Sequence, residues 1–309
     1  MSTNGSLIET IDVIGPWEHR QIAANGARFH VATLGDGPLL LLLHGYPEFW
    51  WAWRHQMEPL AKAGWRVAAM DLRGYGSSDK TPRGYDPANF TADVTGVIRS
   101  LGARDAVLVG HDWGAYIGWA AAVMRPAHVR GLAVLSMPHP LVLTRHLLRG
   151  RHARHLLGVQ LPMAPERQLV AGEGVHVEKL LRRWSAPESQ FPDPEAAARY
   201  RGAMSLWPSP HCALEYQRWV VRSLLRVDGR RFAHRMAAPV EVPVLQIHGG
   251  ADRVIPARLA AKSRRHVMAP YRWVRLDGVG HFPHEEAPDR TTAELVDWLS
   301  HQPPPRGRG

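Results

Sequence analysis

The chain has one cysteine, Cys212, in 309 residues, which excludes an intramolecular disulfide and fits a reducing compartment. Long apolar runs are also missing. The longest purely aliphatic stretch, Leu39 to Leu43, is far too short to span a bilayer, and the opening "MSTNGSLIETIDVIGPWEHRQ" has no basic flank followed by an unbroken apolar segment. A cytoplasmic protein without membrane insertion is expected. Acidic residues are outnumbered, 28 against 38 Lys and Arg, giving a formal charge of +10. The arginines are spread along the chain, however, and the one dense run, "RHLLRGRHARH" (Arg145 to His155), has no interleaved aromatics for base stacking. That argues for a solvated helix face and against a nucleic-acid partner. No glycine-rich phosphate cradle and no Cys/His metal spacing appears, so neither cofactor nor metal is expected. No internal repeat is visible, and the tail "HQPPPRGRG" is expected to be disordered.

What is present is a composition of 45% hydrophobic and 21% charged residues, enough for one sizeable core with room for an inserted domain. Short apolar strands alternate with helical segments, which predicts an α/β fold with a mostly parallel central sheet flanked by helices. "IAANGARFHVA" reads as a hairpin turning at Asn25-Gly26. Buried strands follow at Leu39 to Leu43, Val67 to Met70, Ala106 to Val109, Leu132 to Leu135, Val244 to Ile247 and Trp273 to Leu276. In "FTADVTGVIRSLG", Val94, Val97, Ile98 and Leu101 share one helical face. The alternation stops between Pro138 and Val242, where no strand-like run occurs. Residues 138–242 are therefore expected to form an inserted helical domain, with 1–137 and 243–309 as the core.

The stretch "LVGHDWGAYIG" (Leu108 to Gly118) places a strand end, a turn framed by Gly110 and Gly114, and a small-residue helix in succession. That is a nucleophile elbow, a strained strand-to-helix turn that exposes its middle residue. Here the middle residue is Asp112. A helix N-cap is the competing role for such an Asp, but two partner segments favour chemistry. A carboxylate is ionised at neutral pH and can attack a saturated carbon directly. The resulting ester needs a water-activating base. "GVGHFPHEEAP" supplies His281 beyond the strand ending at Leu276, and "HGGADRVIP" puts Asp252 after the preceding strand. Asp277 is a rival acid whose closeness to His281 suits a turn instead. His44, His111, His248 and His284 are read as loop histidines satisfied by backbone.

Together "HGYPEFWWAWR", "DLRGYGSSDK", "VGHDWG", "HGGADRVIP" and "GHFPHEEAP" resemble the epoxide hydrolases of the α/β-hydrolase fold, close to the haloalkane dehalogenases. The resemblance covers both core halves and implies an inserted helical cap domain. It also implies Asp112 as nucleophile, His281 as base and Asp252 as its orienter, with the N–H groups of Tyr46 and Trp113 as oxyanion hole. Phe49 and Trp50, with Trp51, would wall an apolar pocket or pack its base. The implied partners are a small apolar epoxide and water, with a vicinal diol as product.

Family members open the ring with two cap tyrosines, and this chain departs from that pattern. Aligning "RHARHLLGVQLPMAPERQ" on Gln160 and Pro162 puts His155 at the first position. In "ALEYQRWVV" the second position holds Gln217, with Tyr216 one place earlier. Helical neighbours point about 100° apart, so the two cannot face substrate alike. His155 and Tyr216 are the expected donors, with Gln217 the substitute if the helix is not shifted. A haloalkane dehalogenase shares Asp112, Trp113 and His281 but commonly carries Asn where Tyr46 stands. Fluoroacetate dehalogenases carry Arg in place of Trp113, and an esterase needs a serine. A slow or non-catalytic binding protein on the same scaffold is the reading from another class.

Overall fold

Asn25 and Gly26, with φ of 44° and 73°, turn the chain between β1 (Glu18–Ala24) and β2 (Ala27–Leu34), which pair antiparallel as the sequence predicts. The structure, a computed structural model, describes residues 11–147 and 158–302. His155 and the C-terminal tail from residue 303 lie outside the described residues.

The hairpin leads into β3 (Leu39–Leu43), β4 (Arg66–Met70), β5 (Ala106–His111), β6 (Val129–Leu135), β7 (Val244–Gly249) and β8 (Tyr271–Leu276). The sheet has eight strands in the order β1-β2-β4-β3-β5-β6-β7-β8. β2 pairs antiparallel with β4, and every pairing from β4 to β8 is parallel. β3, β5, β6 and β7 are buried at every residue. Their continuous aliphatic runs are what a parallel sheet covered on both faces requires.

The longer helices are α1 (Arg54–Lys62), α2 (Pro87–Ser100), α3 (Trp113–Met124), α4 (Pro140–Leu147), α5 (Ala164–Trp184), α6 (Pro194–Ser205), α7 (Ser209–Ser223), α8 (Val227–Arg235) and α9 (Pro288–Ser300). Helix α2 starts where Asp86 accepts from the N–H groups of Ala88 and Asn89, with Pro87 in the first turn. It buries Val94, Val97, Ile98 and Leu101 against the core. Among the described residues, the chain between β6 and β7 holds helices and no strand. None of the described helices is long and apolar enough to cross a membrane.

Helix α3 is buried nearly throughout because it must lie against the sheet directly behind the turn at Asp112. A Cβ at Gly114 would meet the Leu43 carbonyl oxygen at 2.1 Å, and one at Gly110 would meet the Gly114 carbonyl at 2.5 Å. The two glycines are thus required by close backbone approach. The loops leaving the carboxyl ends of β3, β5, β7 and β8 converge there, the usual place for a site in an open α/β sheet.

Candidate active site

Asp112 sits between β5 and α3 with φ 46° and ψ −114°, a left-handed backbone that a residue with a side chain adopts only under constraint. The constraints are visible: its N–H donates to the Leu135 carbonyl at 3.1 Å, and its carbonyl accepts from Tyr116 N–H at 2.9 Å. The strain aims the carboxylate at the loop after β3, where Tyr46 N–H donates to Asp112 Oδ2 at 3.1 Å. Trp113 opens α3, at the end of the helix where backbone N–H groups lack intrahelical acceptors. Both proposed oxyanion donors therefore lie on the backbone beside the carboxylate. The Tyr46-Pro47 bond is cis.

His281, fully buried in the loop after β8, has Nε2 3.7 Å from Asp112 Oδ1 and Nδ1 2.9 Å from Asp252 Oδ2. Asp252 is held in turn by the N–H groups of Val254 and Ile255, at 2.7 and 2.9 Å to Oδ1, and lies 3.2 Å from His248 Nε2. Burial works against a charged His281. The carboxylates of Asp252 and Asp112 outweigh it and push its pKa up to about 10. Burial likewise disfavours an ionised Asp252, yet His281 and His248 hold it well below the usual carboxylate range. Asp277 is exposed and pairs with Arg275 at 3.0 Å, away from this line.

A cavity of about 670 Å³ opens over Asp112, with a lining mainly of apolar groups that includes Trp113, Met137, Leu143, Leu180, Trp184, Val220 and Ile255. Its walls combine loops of the sheet with α4, α5 and α7. Trp184 closes the end of α5 over the loop that carries His281: its carbonyl accepts from His281 N–H at 3.0 Å, and its ring meets the imidazole edge-on at 5.6 Å.

Three side chains do not face the cavity, as direct contact with substrate would require. Tyr216 faces away from the cavity: its hydroxyl donates to the Arg73 carbonyl at 2.7 Å, and its ring stacks on Phe90 at 4.3 Å. Gln217, about 100° round the same helix, faces the cavity instead. Phe49 and Trp50 are fully buried and line no part of it. Asp71 accepts from Trp50 N–H at 2.8 Å, and the Trp50 indole donates to the Ile11 carbonyl at 2.9 Å, fixing that ring towards the β1–β2 hairpin. Phe49 packs edge-on against Tyr200 at 5.8 Å.

Sequence reasoning also missed two carboxylates that brace the site, Glu48 fully buried and Glu286 half-buried. Glu48 lies between His111 Nδ1 at 2.7 Å and His284 Nε2 at 3.0 Å, so these two histidines serve a carboxylate and are not merely satisfied by backbone. His248 likewise contacts both the Ile255 carbonyl and Asp252, whereas His44 binds backbone as expected. Burial opposes the charge on Glu48, but the two histidines hold its pKa well below the ordinary range. Glu286 accepts from Gly280 N–H at 2.9 Å and Phe282 N–H at 3.0 Å, gripping the backbone on both sides of His281. The available signal was a set of acidic residues inside motifs that must be buried, "HGYPE" and "HEE".

A family model described as alpha/beta hydrolase fold matches residues 38–288. The chain is 31% identical to epoxide hydrolase A of Mycobacterium tuberculosis, over 93% of this chain and 98% of that protein. It is also 31% identical to the AB hydrolase superfamily protein YfhM of Bacillus subtilis, over 91% and 97% of the two chains. Among solved structures, epoxide hydrolase A from Mycobacterium thermoresistibile is similar with a TM-score of 0.78 and 27% identity, covering 93% of this chain and 99% of that one.

Proposed function

The chain belongs to the epoxide hydrolase family of α/β-hydrolases, and on that premise we propose that it converts an apolar epoxide to a vicinal diol through a covalent ester on Asp112. The observation that carries this reading is the carboxylate of Asp112, held by Tyr46 N–H on one side and facing His281 on the other, at the floor of a mainly apolar cavity. The helices of residues 138–242 act as a cap over the core of residues 1–137 and 243–309.

In the first half-reaction an Asp112 oxygen attacks an epoxide carbon, the ring C–O bond breaks, and the developing alkoxide takes a hydrogen bond or proton from the cap. Gln217, through its side-chain N–H, is the donor supported by cavity lining, and His155 is retained from the sequence as the other. In the second half-reaction water attacks the ester carbonyl. The N–H groups of Tyr46 and Trp113 stabilise the tetrahedral oxyanion, and His281, oriented by Asp252, takes the proton from water; on collapse the bond from the Asp112 carbonyl carbon to the diol oxygen breaks, that oxygen takes the proton back, and the Asp112 carboxylate is restored.

The charge distribution gives His281 two states. While Asp112 is ionised, two carboxylates keep the imidazole protonated. Esterification removes one of those charges, lowers the histidine pKa, and frees the ring to act as a base. The same group is thus switched on by the intermediate it must hydrolyse.

The test is a single turnover in ¹⁸O-water with an aryl epoxide. The ester route takes the new diol oxygen from Asp112, so the first-turnover diol is unlabelled and the label appears in the Asp112 carboxylate. Label in the first diol would mean direct attack by water and would sink the proposal. Asp112→Ala is expected to lose at least about 10³-fold in turnover, the scale seen when a covalent nucleophile is removed.

A further inference from the structure

Remote from the cavity lining, the β1–β2 hairpin and the segment before it bring Asp12, His19 and His30 together, with one ligand atom from each within 4.8 Å of the others. Gln21 is the cross-strand partner of His30, so His19, two residues along β1, lies diagonally beside His30 on the same face of the pair. Their imidazoles approach nitrogen to nitrogen, His19 Nδ1 to His30 Nε2, at 2.8 Å.

The outer nitrogens decide what this approach needs. His19 Nε2 is 3.0 Å from the Val13 carbonyl, and His30 Nδ1 is 2.9 Å from the buried Asp71 carboxylate. Both acceptors can only accept, so both outer nitrogens carry N–H. In neutral rings the two inner nitrogens then present lone pairs to each other. A shared cation must lie between them, either an extra proton or a metal ion. An imidazole whose far N–H is fixed by a carbonyl or carboxylate is also the arrangement of a metal-ligating histidine.

The third group completes the set. Asp12 Oδ1 is 3.9 Å from His30 Nε2 and accepts from Ser77 Oγ–H at 2.7 Å. Zinc bonds of about 2.0–2.1 Å in tetrahedral geometry separate neighbouring ligand atoms by about 3.3 Å. That spacing lies between the 2.8 and 3.9 Å of the two pairs that involve His30, and all three ligand atoms lie within 4.8 Å of one another, so side-chain adjustments within the cluster close the site. Two imidazoles and a carboxylate suit zinc and its transition-metal neighbours.

We propose that Asp12, His19 and His30 bind a divalent transition metal, with Zn²⁺ the preferred ion and water as fourth ligand. The ion takes the place of the proton the two rings share and clamps the segment before β1 onto the hairpin. The site serves stability and stands outside the reaction.

The test uses the untagged full chain, stripped with chelator, dialysed, and titrated with zinc chloride alone by calorimetry. Metal content after desalting and the visible spectrum of the Co²⁺-loaded protein are read alongside. The expected result is one Zn²⁺ per chain, four-coordinate Co²⁺ bands, and a Tm raised by zinc. His19→Ala and Asp12→Asn should each weaken zinc binding at least tenfold and abolish the Tm response. Should His19→Ala fail to fold, Asp12→Asn, whose site lies before the first strand, carries the same test. Wild-type protein that retains no zinc, or variants that bind it as tightly as wild type, would overturn the proposal.

Discussion

Gln217 and Tyr216 are adjacent on α7 yet meet different surroundings: one faces the cavity above Asp112, the other donates to the Arg73 carbonyl inside an aromatic cluster. Their substitutions should therefore separate. Gln217→Leu is expected to slow ester formation about 10²-fold, the cost of losing one donor to a developing oxyanion. Tyr216→Phe should leave that rate within about threefold and cost about 1 kcal/mol of stability through the lost hydrogen bond. Pre-steady-state rates of Asp112 alkylation check the first, and denaturant melts the second. A Tyr216→Phe enzyme crippled in alkylation would restore tyrosine to the reaction. The contrast also shows what can be read from residues in order. Asp112, His281 and Asp252 are marked by glycines and strand ends, which local sequence displays. Which face of α7 meets the cavity, or which way the Trp50 ring turns, is set by packing against distant segments. Glu48 was hidden for the same reason, since its partners His111 and His284 come from other loops.

At the scale of elements, the alternation of aliphatic runs and amphipathic helices made the strands, the Asn25-Gly26 hairpin and the face of α2 legible. The interruption of α5, where residues 172–174 take positive φ, was not, because residues from α6 help set it: Arg201 Nε donates to the Glu173 carbonyl at 2.8 Å. The elbow makes the sharpest prediction here. With β3 backbone 2.1 Å from a Cβ at position 114, Gly114→Ala must push α3 off the sheet and is expected to cost about 3 kcal/mol or more. Gly102→Ala supplies the control: Gly102 also has positive φ, at 76°, but has no atom near its would-be Cβ, so it carries backbone strain without a clash and should cost about 1–2 kcal/mol. Equal losses in urea melts would contradict the close-approach argument.

For the molecule as a whole, His281 couples the site to stability. Its pKa is raised from 6.5 to about 10 by folding, so its contribution is fully present below about pH 6.5 and is lost as the pH rises through about 10. The Tm advantage of wild type over His281→Gln should shrink across that interval, and a difference constant with pH would contradict the charge assignment. The same variant tests the central claim most directly. On the proposed mechanism His281→Gln keeps the nucleophile and removes the base, so incubation with an aryl epoxide should add the mass of the whole epoxide, and peptide mapping should place it on Asp112. A parallel incubation with a haloalkane should add nothing. Folded protein that gains no epoxide adduct, or that gains only an alkyl group from the haloalkane, would contradict the account.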